Sequence, residues 1–159
     1  MKTQLIKSAH AVGESSYHIQ LTPAYRQGVF GEKLMQELTI GYITQKLKQC
    51  KAVLLGYGFG QDHLHLFLGN VRHVGEIELV RQIKGYSSYM LRKGHSAFFS
   101  DKLWGNKFWS SGHFYRSVGA VTAESMQWYV TEGQKKHWRT QTFEQYQLLK
   151  AQTRLASFS

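Results

Sequence analysis

The sequence predicts an α+β domain: a ferredoxin-like antiparallel sheet with helices on one face and one further helix toward the C-terminal end. Three features carry this. The elements run strand, helix, strand, strand, helix, strand, helix, and the two central strands are close enough to form a hairpin. The length of 159 residues, 42% of them hydrophobic, suits one core and not two ordinary ones. A single proline, Pro23, and 15 scattered glycines leave no linker or repeat, so residues 1–159 are read as one domain.

The first strand is Ser16 to Thr22, a short alternating segment stopped by Pro23. Glu32 to Lys48 carries Leu34, Leu38, Ile40, Ile43 and Leu47 at helical spacing, with Gly31 just before it. Ala52 to Phe59 and His63 to Gly69 are apolar runs joined by Gly60-Gln61-Asp62, which predicts the hairpin. A second helix spans about Gly75 to Lys93, with Ile77, Val80, Ile83, Met90 and Leu91 inward and Gly94 at its stop. His113 to Val118 alternates as a fourth strand. Thr122, with Glu124 close behind, caps a third helix reaching about Trp138, and the tail from about Thr140 is weakly helical and polar.

Twenty Lys and Arg against ten Asp and Glu give a formal charge of +10, which favours a polyanionic partner, nucleic acid first. The one cysteine, Cys50, excludes an intrachain disulfide and a cysteine-based zinc site, and implies a reducing compartment. No stretch approaches the roughly 18 apolar residues of a membrane span, and Met1 to Val12 lacks the apolar core of a signal peptide. A cytoplasmic protein without membrane contact is expected.

His63 and His65 alternate on a predicted strand, so both imidazoles share one face while Leu64, Leu66 and Leu68 fill the other. Such a pair is half a metal site, although polar strand faces also accept histidine without any ligand. Asp62 reads first as a turn residue and second as a carboxylate orienting an imidazole. Tyr129 sits among Met126, Val130 and Gly133, where packing is the ordinary role of a helical tyrosine. What sets it apart is the crowd of potential ligands and phosphate contacts that follows: Glu132, Gln134, Lys135, Lys136, His137 and Arg139. Arg81, Lys84, Arg92 and Lys93 on the outer side of the second helix could track a DNA backbone. Trp104, Phe108, Trp109, Phe114 and Tyr115 suit either base stacking or a packed core, and core packing is favoured for rings this dense.

Together these segments resemble the single-tyrosine HUH transposases of small prokaryotic insertion sequences and their relatives associated with repetitive extragenic palindromes. The likeness rests on His63-Leu64-His65 followed by Leu66-Phe67-Leu68, then Lys102-Leu103-Trp104-Gly105 and Phe108-Trp109-Ser110-Ser111-Gly112. It continues through Tyr115-Arg116-Ser117-Val118-Gly119 to Tyr129, and covers about Tyr17 to His137. The resemblance implies a helix-borne nucleophile, Tyr129, and Mg²⁺ or Mn²⁺ held by His63, His65 and a third oxygen ligand. It implies cleavage and rejoining of single-stranded DNA with hairpin ends through a 5′-phosphotyrosine link, in a homodimer associated with the nucleoid.

One position departs from the family. A glutamine is usual four residues after the tyrosine, where Gly133 stands here, and Gln134 lies five residues on. A straight helix turns Gln134 about 140° from Tyr129, so a bulge must bring it round or Glu132 must serve instead. Lys135 and Lys136 read as phosphate-neutralising residues on a solvated helix face. The alternative function is a hairpin DNA- or RNA-binding module that has lost catalysis. A two-histidine RNA phosphodiesterase ranks last, because such enzymes generally draw on two His-x-His motifs and one is present.

Overall fold

The computed structural model describes residues 6–7, 12–13, 15–24, 28–71, 74–99, 107–119 and 121–131, with short helical pieces at 147–148 and 151–152. The chain forms two compact units, Met1–Val121 and Thr122–Ser159.

In the first unit, a two-residue ribbon of β1 (Ile6–Lys7) and β2 (Val12–Gly13) precedes the sheet. The main sheet contains β3 (Ser16–Leu21), β4 (Val53–Phe59), β5 (Leu64–Gly69) and β6 (Phe114–Ser117). Its order is β4-β5-β3-β6 with every neighbour antiparallel, which is the ferredoxin-like arrangement that the element order predicts. Helices α1 (Lys33–Gln49) and α2 (Glu76–Gly94) supply the connections, followed by the short α3 (Ser96–Phe99).

Alternation divides the sheet. Ile19, Leu21, Leu64, Leu66 and Leu68 join Met35, Ile43 and Leu47 of α1 and Val80, Ile83 and Leu91 of α2 in one buried cluster. Phe108 and Trp109 belong to it as well, so two of the five rings pack in the core, while Tyr115 is exposed and Trp104 lies outside the described residues. The indole Nε1 of Trp109 donates to Ser87 Oγ at 2.9 Å, satisfying a buried polar atom on each side. Backbone bonds from Ala24 to Phe108 and from Ser110 to Thr22, both 2.8 Å, seat residues 108–110 beside the end of β3.

One residue of the apolar spacing and one inward assignment differ from expectation. Leu34 is exposed because α1 buries Met35, Thr39, Ile43 and Leu47, a four-residue spacing that places Leu34 on the far side. Ile77 is exposed too: the buried stripe of α2 is Leu79, Val80, Ile83, Ser87 and Leu91, and at about 100° per residue Ile77 falls roughly a quarter-turn from it.

In the second unit, α4 (Ala123–Thr131) begins at Thr122. The Thr122 hydroxyl accepts from Ser125 N–H at 3.1 Å and Ser125 Oγ accepts from Thr122 N–H at 2.9 Å, a reciprocal cap in which serine takes the place of the usual glutamate. The expected continuation to Trp138 lies outside the described residues.

Candidate metal and nucleic-acid site

The face of the sheet opposite the helices is written by register. One row across the strands is Gly58, His65, Gln20 and Phe114; the next is Gly56, Phe67, His18 and Arg116. The two glycines put no side chain beside His65 and Phe67, and the polar positions of β3 and β5 meet. His18, His65 and Phe67 are all buried, so β5 is covered on both faces, unlike the half-exposed strand that a polar alternation suggests.

The hairpin turn fixes His63. Gly60 N–H donates to His63 O at 2.9 Å, and Phe30 N–H donates to Gln61 O at 3.1 Å, tying the turn to the core. The His63 ring lies directly over Gly60, where a Cβ would overlap three of its ring atoms. Asp62 Oδ1 stands 2.7 Å from His63 Nδ1. An ionised carboxylate only accepts, so His63 Nδ1 carries a proton, and in the neutral imidazole Nε2 then keeps its lone pair. That Nε2 is buried with no hydrogen-bond partner among the described residues. Of the two readings of Asp62, the geometry supports the orienting carboxylate.

His65 is 5.0 Å from His63 between ring centroids, edge to face. Its Nδ1 is 2.8 Å from Nε2 of His18, whose ring stacks on Phe67 at 4.8 Å and 10°. Burial first, and His63 second, push the His65 pKa down to about 3; burial, then His65 and Arg116, push His18 down to about 3. Both are therefore neutral imidazoles at ordinary pH, the form in which a ring nitrogen is a ligand. His18 was missed in the motif reading. Its signal was present, since the alternation of Ser16 to Thr22 puts it on the polar side of the first strand.

The donor set fits a divalent metal ion in part. Each of the paired histidines has Nδ1 engaged by a neighbour, the arrangement that orients metal-binding imidazoles, and His63 offers a bare, buried Nε2. Among the described residues, no group of three or more His, Cys, Asp or Glu stands ready to hold an ion, so an ion at this pair would need further ligands from elsewhere. Glu132 and Gln134, with Lys135 and Lys136, lie outside the described residues. Tyr129 belongs to the second unit, buried on α4 with its ring 4.9 Å from that of Trp128.

The bases of α2 divide by local partner. Arg81 is forked onto Glu78 at 2.7 and 2.5 Å, an exposed pair within one turn. Lys84 donates to the carbonyls of Ser111 and Gly112 at 3.3 and 3.2 Å, and its pKa is lowered by burial and by Lys107. Lys107, which the motif reading did not single out, donates to Ser111 Oγ at 3.3 Å, so the 110–112 loop gathers two ammonium groups. Lys93 reaches Tyr89 Oη at 2.9 Å, and Arg92 is half-buried.

A basic α+β domain with a histidine-bearing sheet face defines the class. The profile of the family described as IS200-like transposases matches residues 11–133, and the chain belongs to that family. Among solved structures it is similar to a Deinococcus radiodurans R1 protein assigned as a transposase, at 20% identity and a TM-score of 0.63, covering 80% of this chain and 96% of that one. A second similar structure is a REP-associated tyrosine transposase bound to a REP hairpin, at 9% identity and a TM-score of 0.49, covering 82% of this chain and 67% of that one. No curated protein matches the sequence. Among the described residues, no helix is long and apolar enough to cross a membrane.

Proposed function

We propose that this transposase cleaves and rejoins single-stranded DNA at hairpin-bearing ends, with Tyr129 as nucleophile and His63 and His65 as ligands of Mg²⁺ or Mn²⁺. The observation that carries the reading is the hairpin turn itself. Asp62 accepts a hydrogen bond from His63 Nδ1–H and leaves a buried Nε2 with no protein partner among the described residues, a costly arrangement for a group without a ligand. Gln134 or Glu132 supplies the third, oxygen donor. When bound, the ion polarises the scissile phosphate and aligns it for in-line attack.

The residues supply the remainder. Tyr129 Oη, whose unshifted pKa is about 10, must lose its proton as it attacks phosphorus. The new O–P bond forms as the bond to the 3′ oxygen breaks, and that oxygen leaves as a 3′-hydroxyl after taking up a proton. The product is a 5′-phosphotyrosine, and attack by another 3′-hydroxyl reverses the step and joins strands without ATP. Lys84, Lys93, Lys107, Lys135, Lys136 and Arg92 neutralise phosphates, while Arg81 contributes less because Glu78 already holds it. The active protein is a homodimer in the cytoplasm, associated with the nucleoid.

The test is a labelled single-stranded oligonucleotide carrying the inverted repeat that flanks the gene, incubated with the protein with and without Mn²⁺ and resolved on a denaturing gel. A metal-dependent protein–DNA band, lost in Tyr129→Phe and in His63→Ala/His65→Ala, is expected. Tight, salt-sensitive binding without that band under any condition would favour the hairpin-binding module instead.

A further inference from the structure

We infer that the seam between α1 and α2 is a second surface for single-stranded DNA, where Tyr86 and Tyr89 stack on unpaired bases and Lys46 and Lys93 meet their phosphates. This rests on the single-stranded DNA reading above and adds a contact on the helix side of the sheet, opposite the histidine face. The seam carries two matching units. Lys46 Nζ stands 5.5 Å from the centroid of the Tyr86 ring, and Lys93 Nζ stands 5.3 Å from that of Tyr89. A nucleotide offers a flat base beside a charged phosphate, and each unit offers a ring beside an ammonium group.

The rings are set on a firm floor. Tyr86 Oη donates to Gln45 Oε1 at 2.8 Å, and its ring meets that of Tyr42 edge-on at 6.4 Å. Tyr42 in turn packs against the core, with its hydroxyl 2.9 Å from His95 Nε2. Tyr89 is 57% exposed and its hydroxyl accepts from Lys93 at 2.9 Å, so this large ring meets solvent beside a cation.

Charge selects the occupant. Residues 38–49 and 79–94 hold six cations (Lys46, Lys48, Arg81, Lys84, Arg92 and Lys93) and no carboxylate, whereas the whole chain has 20 against 10. Glu78, just before the second stretch, is already forked by Arg81. Such a surface repels a second copy of itself and attracts a polyanion. Two glycines agree with a close approach. Gly41 and Gly85 are exposed in mid-helix, where glycine is destabilising, and among the described residues nothing within 4 Å of a Cβ at either position calls for its absence.

The probe is a hairpin-free dT oligomer carrying 5-iodouracil. Irradiating its complex with the wild-type protein should cross-link Tyr86 or Tyr89, located by mass spectrometry, and this needs no variant to fold. Tyr86→Leu/Tyr89→Leu should weaken binding of the plain oligomer about 10-fold or more, while Tyr86→Phe/Tyr89→Phe, which keeps the rings, should bind as the wild type does. Cross-links confined to the histidine face, or unchanged binding by the leucine variant, would overturn the inference. A DNA-free leucine variant that sediments as a smaller species than the wild type would also overturn it, by making the seam a contact between copies. The Tyr129 adduct with a hairpin-bearing strand is read separately. Seam cross-links without any adduct would support the seam and defeat the nuclease reading, and an adduct without seam cross-links would defeat the seam alone.

Discussion

Replacing Gly60 by alanine should disable the histidine pair while sparing the fold. The added Cβ would overlap Cε1, Nε2 and Nδ1 of His63, the three atoms nearest to it. The obstacle is a side chain, so the ring swings away instead of the hairpin opening. Leaving its present rotamer costs of order 0.5–1.5 kcal/mol and breaks the 2.7 Å bond to Asp62. The backbone of Gly60 lies outside the left-handed region, so alanine is tolerated there and restricts the unfolded chain, worth about 0.4–1 kcal/mol in the opposite sense. With the lost bond to Asp62 counted at about 0.5–1.5 kcal/mol, the terms cancel only in part, and the protein should stay folded with a loss of about 0.5–2 kcal/mol. Metal binding does not share in the cancellation. With His63 turned out of its place, Mn²⁺ affinity should fall at least as far as for loss of an orienting partner, about 10- to 100-fold, and match His63→Ala. Paired calorimetric titration and thermal melting read both quantities. Wild-type Mn²⁺ affinity in Gly60→Ala would refute the reasoning.

Three further outcomes are expected. Ser87→Ala removes the acceptor of the buried Trp109 indole and should destabilise the protein by about 1–3 kcal/mol in denaturant melts, with Mn²⁺ affinity unchanged. In the metal-free protein, the folded-state pKa values of His18 and His65 lie below the 6.5 of the unfolded chain, so their contribution is complete above pH 6.5 and is lost as pH falls from there toward 3. Melting temperature should accordingly decline below pH 6.5, and more gently in His18→Phe. For single-stranded DNA, Lys107→Ala should reduce the salt slope by about 0.7, as expected for one lost phosphate contact, while Arg81→Ala should change it less because Glu78 already neutralises that guanidinium.

The fold was legible because each strand declared its period and the hairpin its turn. The alternation of Ser16 to Thr22 and the Gly60-Gln61-Asp62 break match the observed strands to within a residue or two. Helix phase was harder to read, since hydrophobicity alone favoured Leu34 and Ile77, whereas the buried stripes include Thr39 and Ser87, polar residues that serve inside. The histidine pair was visible as a motif, but its electrostatic setting was not. That setting depends on a cross-strand diagonal from His18 and on a glycine that matters only because a ring covers it, and neither is written in local sequence. Lys107 was likewise hidden, because only the tertiary approach of residues 107–112 to α2 gives it a neighbour in Lys84.

The central claim is that Tyr129 becomes covalently joined to DNA in a reaction that depends on His63 and His65. Its most direct measurement is tandem mass spectrometry of the nuclease-trimmed adduct formed with the flanking inverted repeat in Mn²⁺. The account predicts a nucleotide 5′-phosphate on Tyr129, absent from His63→Ala/His65→Ala. An adduct on any other residue, or one formed equally well by that double variant, would contradict it.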